Sequence, residues 1–285
     1  MNAFDLSSFI IIFRETLEAA LIVGITASFL LRTRNFGYMA HVLWSAAAAL
    51  VASAGVAILF ERTVGEFEGR SASIFEGTVA FLAAGVLTYM ILWMKRQAVQ
   101  MRPQMESRLG EVLARRDLFA LCALPFFAVL REGAESVLFL KAAAFQAGGS
   151  TSFVGGILGF LGAVLLTAAI FWFGKKIPLK PFFQATGIFL LIISAGLLAY
   201  GIHEFEEAGL INPVVEPIWN INPILSEKTG FGSFLKAIFG YNGNPSLVEV
   251  TLYAGYLAGM IFWMGRIKPA LTPSKITPQA SRSER

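Results

Sequence analysis

The sequence predicts an all-α polytopic membrane protein of seven transmembrane helices, built as two inverted three-helix repeats plus one extra helix. Three observations predict it. Seven apolar runs are long enough to span a bilayer, their connections alternate between basic and acidic or uncharged, and the first and fourth runs share a charged motif in ungapped register. Composition agrees: 56% of the 285 residues are hydrophobic, 15% are charged and mean hydropathy is +0.65, a balance soluble domains of this size seldom reach.

A spanning helix takes about 20 mostly apolar residues. Runs of that length, with charge clusters setting their ends, cover 9–31, 39–60, 74–94, 118–145, 153–174, 182–202 and 247–264. The first eight residues lack the basic n-region of a secretory signal, and charges follow at Arg14, Glu15 and Glu18, so the first run is read as a retained helix.

Orientation comes from lysine and arginine in the short connections, because basic segments stay cytoplasmic. Arg32 and Arg34 follow the first run. Lys95, Arg96, Arg102, Arg108, Arg115 and Arg116 follow the third, Lys175, Lys176 and Lys180 the fifth, and Arg266, Lys268, Lys275, Arg282 and Arg285 form the tail. The other connections carry Glu61, Glu66 and Glu68, then an uncharged stretch at 147–152, then Glu204, Glu206, Glu207 and Glu216. The N-terminus is therefore expected outside and the C-terminus inside. A net charge of +4 distributed in this way is a topology signal rather than a basic patch, and nucleic acid is not an expected partner. Membrane lipid is.

With that orientation the first helix runs inward and the fourth outward. Residues 9–27 read FIIIFRETLEAALIVGITA and residues 126–144 read FFAVLREGAESVLFLKAAA, at an offset of 117. Phe9, Arg14, Glu15, Glu18, Leu21 and Ala27 coincide with Phe126, Arg131, Glu132, Glu135, Leu138 and Ala144. Helices one to three (about 9–94) and four to six (about 118–202) thus read as inverted repeats, an arrangement that places a transporter's substrate site near mid-membrane at the repeat interface. An outer loop at 203–245, helix seven at 247–264 and a cytoplasmic tail at 265–285 complete the chain. Prolines at 213, 217, 223 and 245 deny the outer loop a long helix, although 231–241 can form a short interfacial one with Phe231, Phe234, Leu235 and Phe239 turned to lipid. An ordinary packed loop is the alternative.

In each Arg-Glu-x-x-Glu motif the two glutamates lie about 60° apart on a helix, with the arginine four residues before the second glutamate. One helix face then holds two carboxylates and a guanidinium. Each charged group costs roughly 2.5–3.5 kcal/mol to insert, so such groups line pathways or pair with one another. Pairing alone needs one acid per base. Here Glu15, Glu18, Glu132 and Glu135 face Arg14 and Arg131, a formal excess of two negative charges that invites a cation. Carboxylates suit iron, manganese, magnesium or calcium, and the single Cys122 excludes both a thiolate site and an internal disulfide. Met90 and Met94, at i and i+4, read as packing, and Lys141 is available to snorkel or to balance charge.

Neither Glu-x-x-His nor His-Glu-x-x-His occurs, and the two histidines are His41 and His203, so a di-iron or zinc enzyme is disfavoured and the protein is not expected to be an enzyme. The paired motif resembles that of the iron permease family, nearest its bacterial branch. The likeness extends over Phe75 to Ala80, Leu92 to Met94, Phe126 to Val129, Ala144 to Gln146, His203-Glu204, Glu207 to Leu210 and Ile238 to Tyr241. It implies one transmembrane permease domain over 1–285, iron as transported substrate with no permanently bound cofactor, and the four motif glutamates as metal ligands during passage. Arg14 and Arg131 are expected to balance charge and orient the carboxylates. Glu76, His203, Glu204 and Glu207 are candidates for relay or for receiving the ion at the outer face. The resemblance further implies a cytoplasmic-membrane location and extracytoplasmic partners: an iron-binding protein with a haem peroxidase, or a copper oxidase. Carriage of another hard divalent ion, or proton coupling through the glutamates, remains the rival reading.

Overall fold

The computed structural model describes residues 3–64, 67–97, 101–147, 153–173, 179–227 and 230–266. Glu66, the uncharged connection from 148 to 152, Lys175, Lys176 and the tail from 267 lie outside the described residues. The helices are α1 (Ala3–Arg32), α2 (Met39–Val64), α3 (Arg70–Gln97), α4 (Met101–Ala114), α5 (Leu118–Gln146), α6 (Phe153–Phe173), α7 (Leu179–Glu207), α8 (Gly230–Phe239) and α9 (Leu247–Arg266). No strand occurs among the described residues.

Five helices, α2, α3, α6, α7 and α9, are long and apolar enough to cross a membrane by length and composition alone. The helices α1 and α5 match them in length, at 30 and 29 residues, but carry the motif charges. Large apolar side chains point outward on several of these helices, including Trp44, Phe119, Trp172 and Trp263. A continuous apolar exterior of this kind needs lipid rather than water around it.

Two sequence expectations change. The basic connection after α3 contains a helix, α4, whose Met105, Leu109, Val112 and Leu113 recur at amphipathic spacing and pack with Leu30, Val42 and Leu121. A search for 20-residue apolar runs passes over such a short helix. The second change is the length of α7, which runs on to Glu207, so that His203, Glu204, Glu206 and Glu207 occupy its last turns rather than a loop.

Backbone capping explains several stops. Arg34 and Arg116 take positive φ values of 57° and 52°, and Asn35 N donates to Leu30 O at 2.9 Å while Asp117 N donates to Val112 O at 3.2 Å, the closing bonds of a Schellman turn. Asp117 then starts α5 by accepting from Ala120 N at 3.0 Å. Helix α8 lies where the sequence allows an interfacial helix: Phe231 and Phe239 are exposed, while Ala237 and Ile238 are buried and Ser7 Oγ donates to Ala237 O at 3.1 Å.

The four most extensive helix pairings among the described residues are α1 on α6, α3 on α7, α2 on α5 and α1 on α5, and α9 packs on α7. Exchanging α1 with α5, α2 with α6 and α3 with α7 maps those four pairings onto themselves. Close approach depends on small residues. A methyl group on Gly159 of α6 would sit 2.6 Å from Phe9 O and 2.9 Å from Phe13 N of α1, a contact only glycine permits. Between α3 and α7, Gly77 leaves room for Phe205 and Gly201 for Phe81, and the two rings stack at 5.4 Å. Leu87, Phe139, Leu190, Ile193, Leu197 and Met260 fill the core where α3, α5, α7 and α9 meet.

Candidate cation site at the crossing of α1 and α5

The two motifs face each other where α1 crosses α5. In α1, Arg14 Nη1 lies 2.6 Å from Glu15 Oε1, and Nη2 lies 2.8 Å from Glu18 Oε1. In α5, Arg131 Nε donates to Glu132 Oε1 at 2.9 Å and lies 3.5 Å from Glu135 Oε1, with a further contact from Nη2 to Glu132. Each guanidinium therefore bridges the two carboxylates of its own motif, as the i, i+4 spacing requires.

Acidic side chains of the two helices then meet. Among the described residues, Glu15, Glu132 and Glu135 each offer one carboxylate oxygen such that these three atoms lie within 4.8 Å of one another. Glu18 is not part of that triplet. Glu15, Glu18 and Glu132 are buried, and Glu15 Oε2 and Glu132 Oε2 have no hydrogen-bond partner among the described residues. A buried acceptor left without a donor costs about 1–3 kcal/mol, and more when charged. An octahedral cation with oxygen bonds of about 2.1 Å spans roughly 4.2 Å between opposite ligands, so a small inward movement of the triplet would close it around one ion. Charge, burial and spacing all favour a hard cation at this position.

The surroundings of the two arginines differ. Arg14 is 1% exposed, and it donates to the sulfurs of Met90 at 2.9 Å and Met94 at 2.5 Å. The Arg131 side chain is 52% exposed, with its guanidinium 5.9 Å from the centre of the Trp93 ring. A cavity of about 630 Å³ between α1, α2, α5 and α6 reaches Glu15 and Glu132 and extends along α1 to Leu31, with mostly apolar walls.

The amino-acid sequence matches the iron permease FTR1 family over residues 5–267. The chain belongs to that family. It is 40% identical to the ferrous iron permease EfeU of Yersinia pestis over 251 residues, 87% of this chain and 89% of that protein. Against the EfeU of Escherichia coli O6:H1 it is 39% identical over 277 residues, 95% of this chain and 96% of that one. No solved structure matches.

The remaining candidates lie near the far end of α7, where Tyr200 joins Glu76 and Glu204. Glu76 accepts from Tyr200 Oη at 2.5 Å, Glu204 is buried and Glu207 is exposed. His203 turns away from these acids, its Nδ1 lying 3.3 Å from Glu249 Oε1 at the start of α9. Lys141 pairs with Glu61 rather than with the family motif.

Several partners were missed from sequence. Met90 and Met94 read as packing because their spacing shows a shared face and not what lies opposite. Trp93 and Tyr200 carry no local signal for their contacts. Glu249 does: Ser246-Leu247-Val248-Glu249 is a capping-box sequence, and the structure has both of its bonds, Glu249 N to Ser246 Oγ at 3.2 Å and Ser246 N to Glu249 Oε1 at 3.3 Å.

Proposed function

We propose that this chain imports iron across the cytoplasmic membrane through seven transmembrane helices, with the N-terminus outside and the C-terminus inside. The two apolar-plus-charged helices α1 and α5 count as spans in this reading because their charges are paired or face one another rather than lipid. The self-mapping helix pairs and the repeated motif support two inverted repeats, with α9 as the extra span and α4 on the cytoplasmic side.

The observation that carries the proposal is the carboxylate triplet drawn from both motifs, with buried oxygens that lack donors among the described residues. Iron exchanges its water for Glu15, Glu132 and Glu135, with Glu18 available as a fourth ligand. Arg14 and Arg131 hold the carboxylates apart and limit their negative charge, so that the ion is bound without being trapped. The cavity along α1 then leads towards the cytoplasmic half; its mostly apolar walls carry scattered hydroxyls, among them Ser28 and Thr167, so the ion leaves the carboxylates with water around it. Relatives named for ferrous iron favour Fe(II) as the transported form.

In this scheme iron is the substrate, no resident cofactor takes part and the chain is not an enzyme. Glu76, His203, Glu204 and Glu207 belong to the outer approach, the side on which an iron-binding protein and a peroxidase or oxidase would deliver the ion. The test is uptake into proteoliposomes containing only this chain, with the iron oxidation state fixed and manganese as competitor. Saturable Fe(II) influx that is lost in Glu132→Gln is expected. Influx that stays at the wild-type rate in this variant would overturn the assignment, and manganese influx that outruns iron would make the carrier one for another divalent ion.

A further inference from the structure

A second polar cavity lies beyond the carboxylates, and the motif has no role in it. It has a volume of about 270 Å³ and is lined by Gln146, His203, Asn242 and Glu249, with the Glu227–Lys236 pair on its wall. One water centre needs only about 10–15 Å³, so the space takes a hydrated ion. Glu249 is buried, and its carboxylate is oriented by Asn242 Nδ2 at 2.8 Å and by His203 Nδ1 at 3.3 Å.

Capping of α9 accounts for Glu249 being there. It does not account for Gln146, the last residue of α5, which is 1% exposed and has no partner for either its Oε1 or its Nε2 among the described residues. The backbone has been cleared for this amide. A methyl on Gly196 would lie 2.7 Å from Gln146 Nε2, one on Gly240 would lie 2.9 Å from it, and Gly240 itself adopts a φ of +67°. A buried, unsatisfied amide costs free energy that a ligand in the cavity would return.

Gln146 also shares a helix face with Glu135. Eleven residues of α helix turn through about 20° net and rise about 16 Å, which places the amide above the carboxylate triplet on one line. Phe139 lies between them on that face and is fully packed in the core. The two polar regions are therefore separate sites.

Resting on the transport reading, we propose that Gln146, His203, Asn242 and Glu249 form an outer binding site for a hydrated divalent first-row cation, Fe(II) in transport. Amide oxygens, one imidazole nitrogen and one carboxylate make a donor set suited to Fe(II), and softer than the all-carboxylate triplet. A set with a single carboxylate binds weakly enough to pass the ion on. The ion waits here with much of its water shell before Phe139 yields and the carboxylates take over.

The test is anaerobic binding of radiolabelled Fe(II) to full-length protein in nanodiscs, in a Glu132→Gln/Glu135→Gln background that disables the triplet. Residual iron binding is expected in that background, weakened about tenfold or more, equivalent to about 1.4 kcal/mol, by Gln146→Leu and by Glu249→Gln. The latter change keeps an oxygen for the α9 cap. No residual binding, or residual binding unchanged by both substitutions, would overturn the outer site. Failure of the transport reading would show separately, as Glu132→Gln proteoliposomes that take up iron normally.

Discussion

In the α1 copy of the motif the guanidinium is enclosed, with two carboxylates and two methionine sulfurs around it; in the α5 copy half of the arginine side chain is open and one face looks towards Trp93. Within each helix the ion pairs are nearly the same, because the spacing of the motif sets them. Access is set from outside, by α3, which supplies Met90 and Met94 to one copy and Trp93 to the other. The comparison suggests a division of labour: the α1 copy is the fixed half of the site, and the α5 copy is the half that can rearrange as an ion comes and goes.

The largest expected effect comes from removing the enclosed base. Arg14→Ala leaves Glu15 and Glu18 buried without their counter-ion, and breaking a buried pair in this way costs about 3–5 kcal/mol. Arg131 is itself half exposed, which screens its pairs, but Glu132 is buried, so Arg131→Ala is expected to cost about 1–3 kcal/mol for the acceptor left unpaired, less than Arg14→Ala. Thermal unfolding of the two purified variants should rank them in that order, and equal losses would erase the distinction between the copies. Both variants are expected to lose iron uptake.

An intermediate effect is expected from Arg→Lys changes, which keep charge but lose the planar fork. Arg14→Lys cannot serve two carboxylates and two sulfurs at once, whereas Arg131→Lys keeps room to adjust. Initial uptake at matched protein levels should therefore fall further in Arg14→Lys. Wild-type rates in both would show that positive charge suffices.

The smallest effects belong to α3. Met90→Leu and Met94→Leu each remove one sulfur acceptor at nearly constant volume, an exchange that usually costs under about 1.5 kcal/mol. Uptake should fall only a few-fold, and more than in Trp93→Leu. A larger loss in Trp93→Leu would place the sensitive contact on the α5 copy instead.

Much of this arrangement could be read from residue order. Long apolar runs located α1, α2, α3, α5, α6, α7 and α9, and the ungapped match of the two motifs brought Glu15 and Glu132 to one site, because helical periodicity and the cost of burying charge act locally. What depends on a neighbouring helix was not legible. Helix α4 is too short and polar to stand out, His203 and the acids from Glu204 to Glu207 look like loop residues until α7 is seen to extend, and the separation of Glu18 from the triplet depends on how α1 packs on α5. Met90 and Met94 show the limit most plainly, since their i, i+4 spacing fixes a face while its partner, Arg14, lies 76 residues from Met90.

In the proposed mechanism, carboxylates from the two motifs bind one ion together. A double-mutant cycle on Fe(II) affinity tests it most directly, using Glu15→Gln, Glu132→Gln and the double variant in nanodiscs under anaerobic conditions, fitted for the tight phase of binding. Ligands of a single ion are coupled, so each single change should cost nearly as much as both together, with an interaction term of about 1–3 kcal/mol. Losses that add to within about 0.5 kcal/mol would mean that the two motifs hold separate ions, contradicting the shared site.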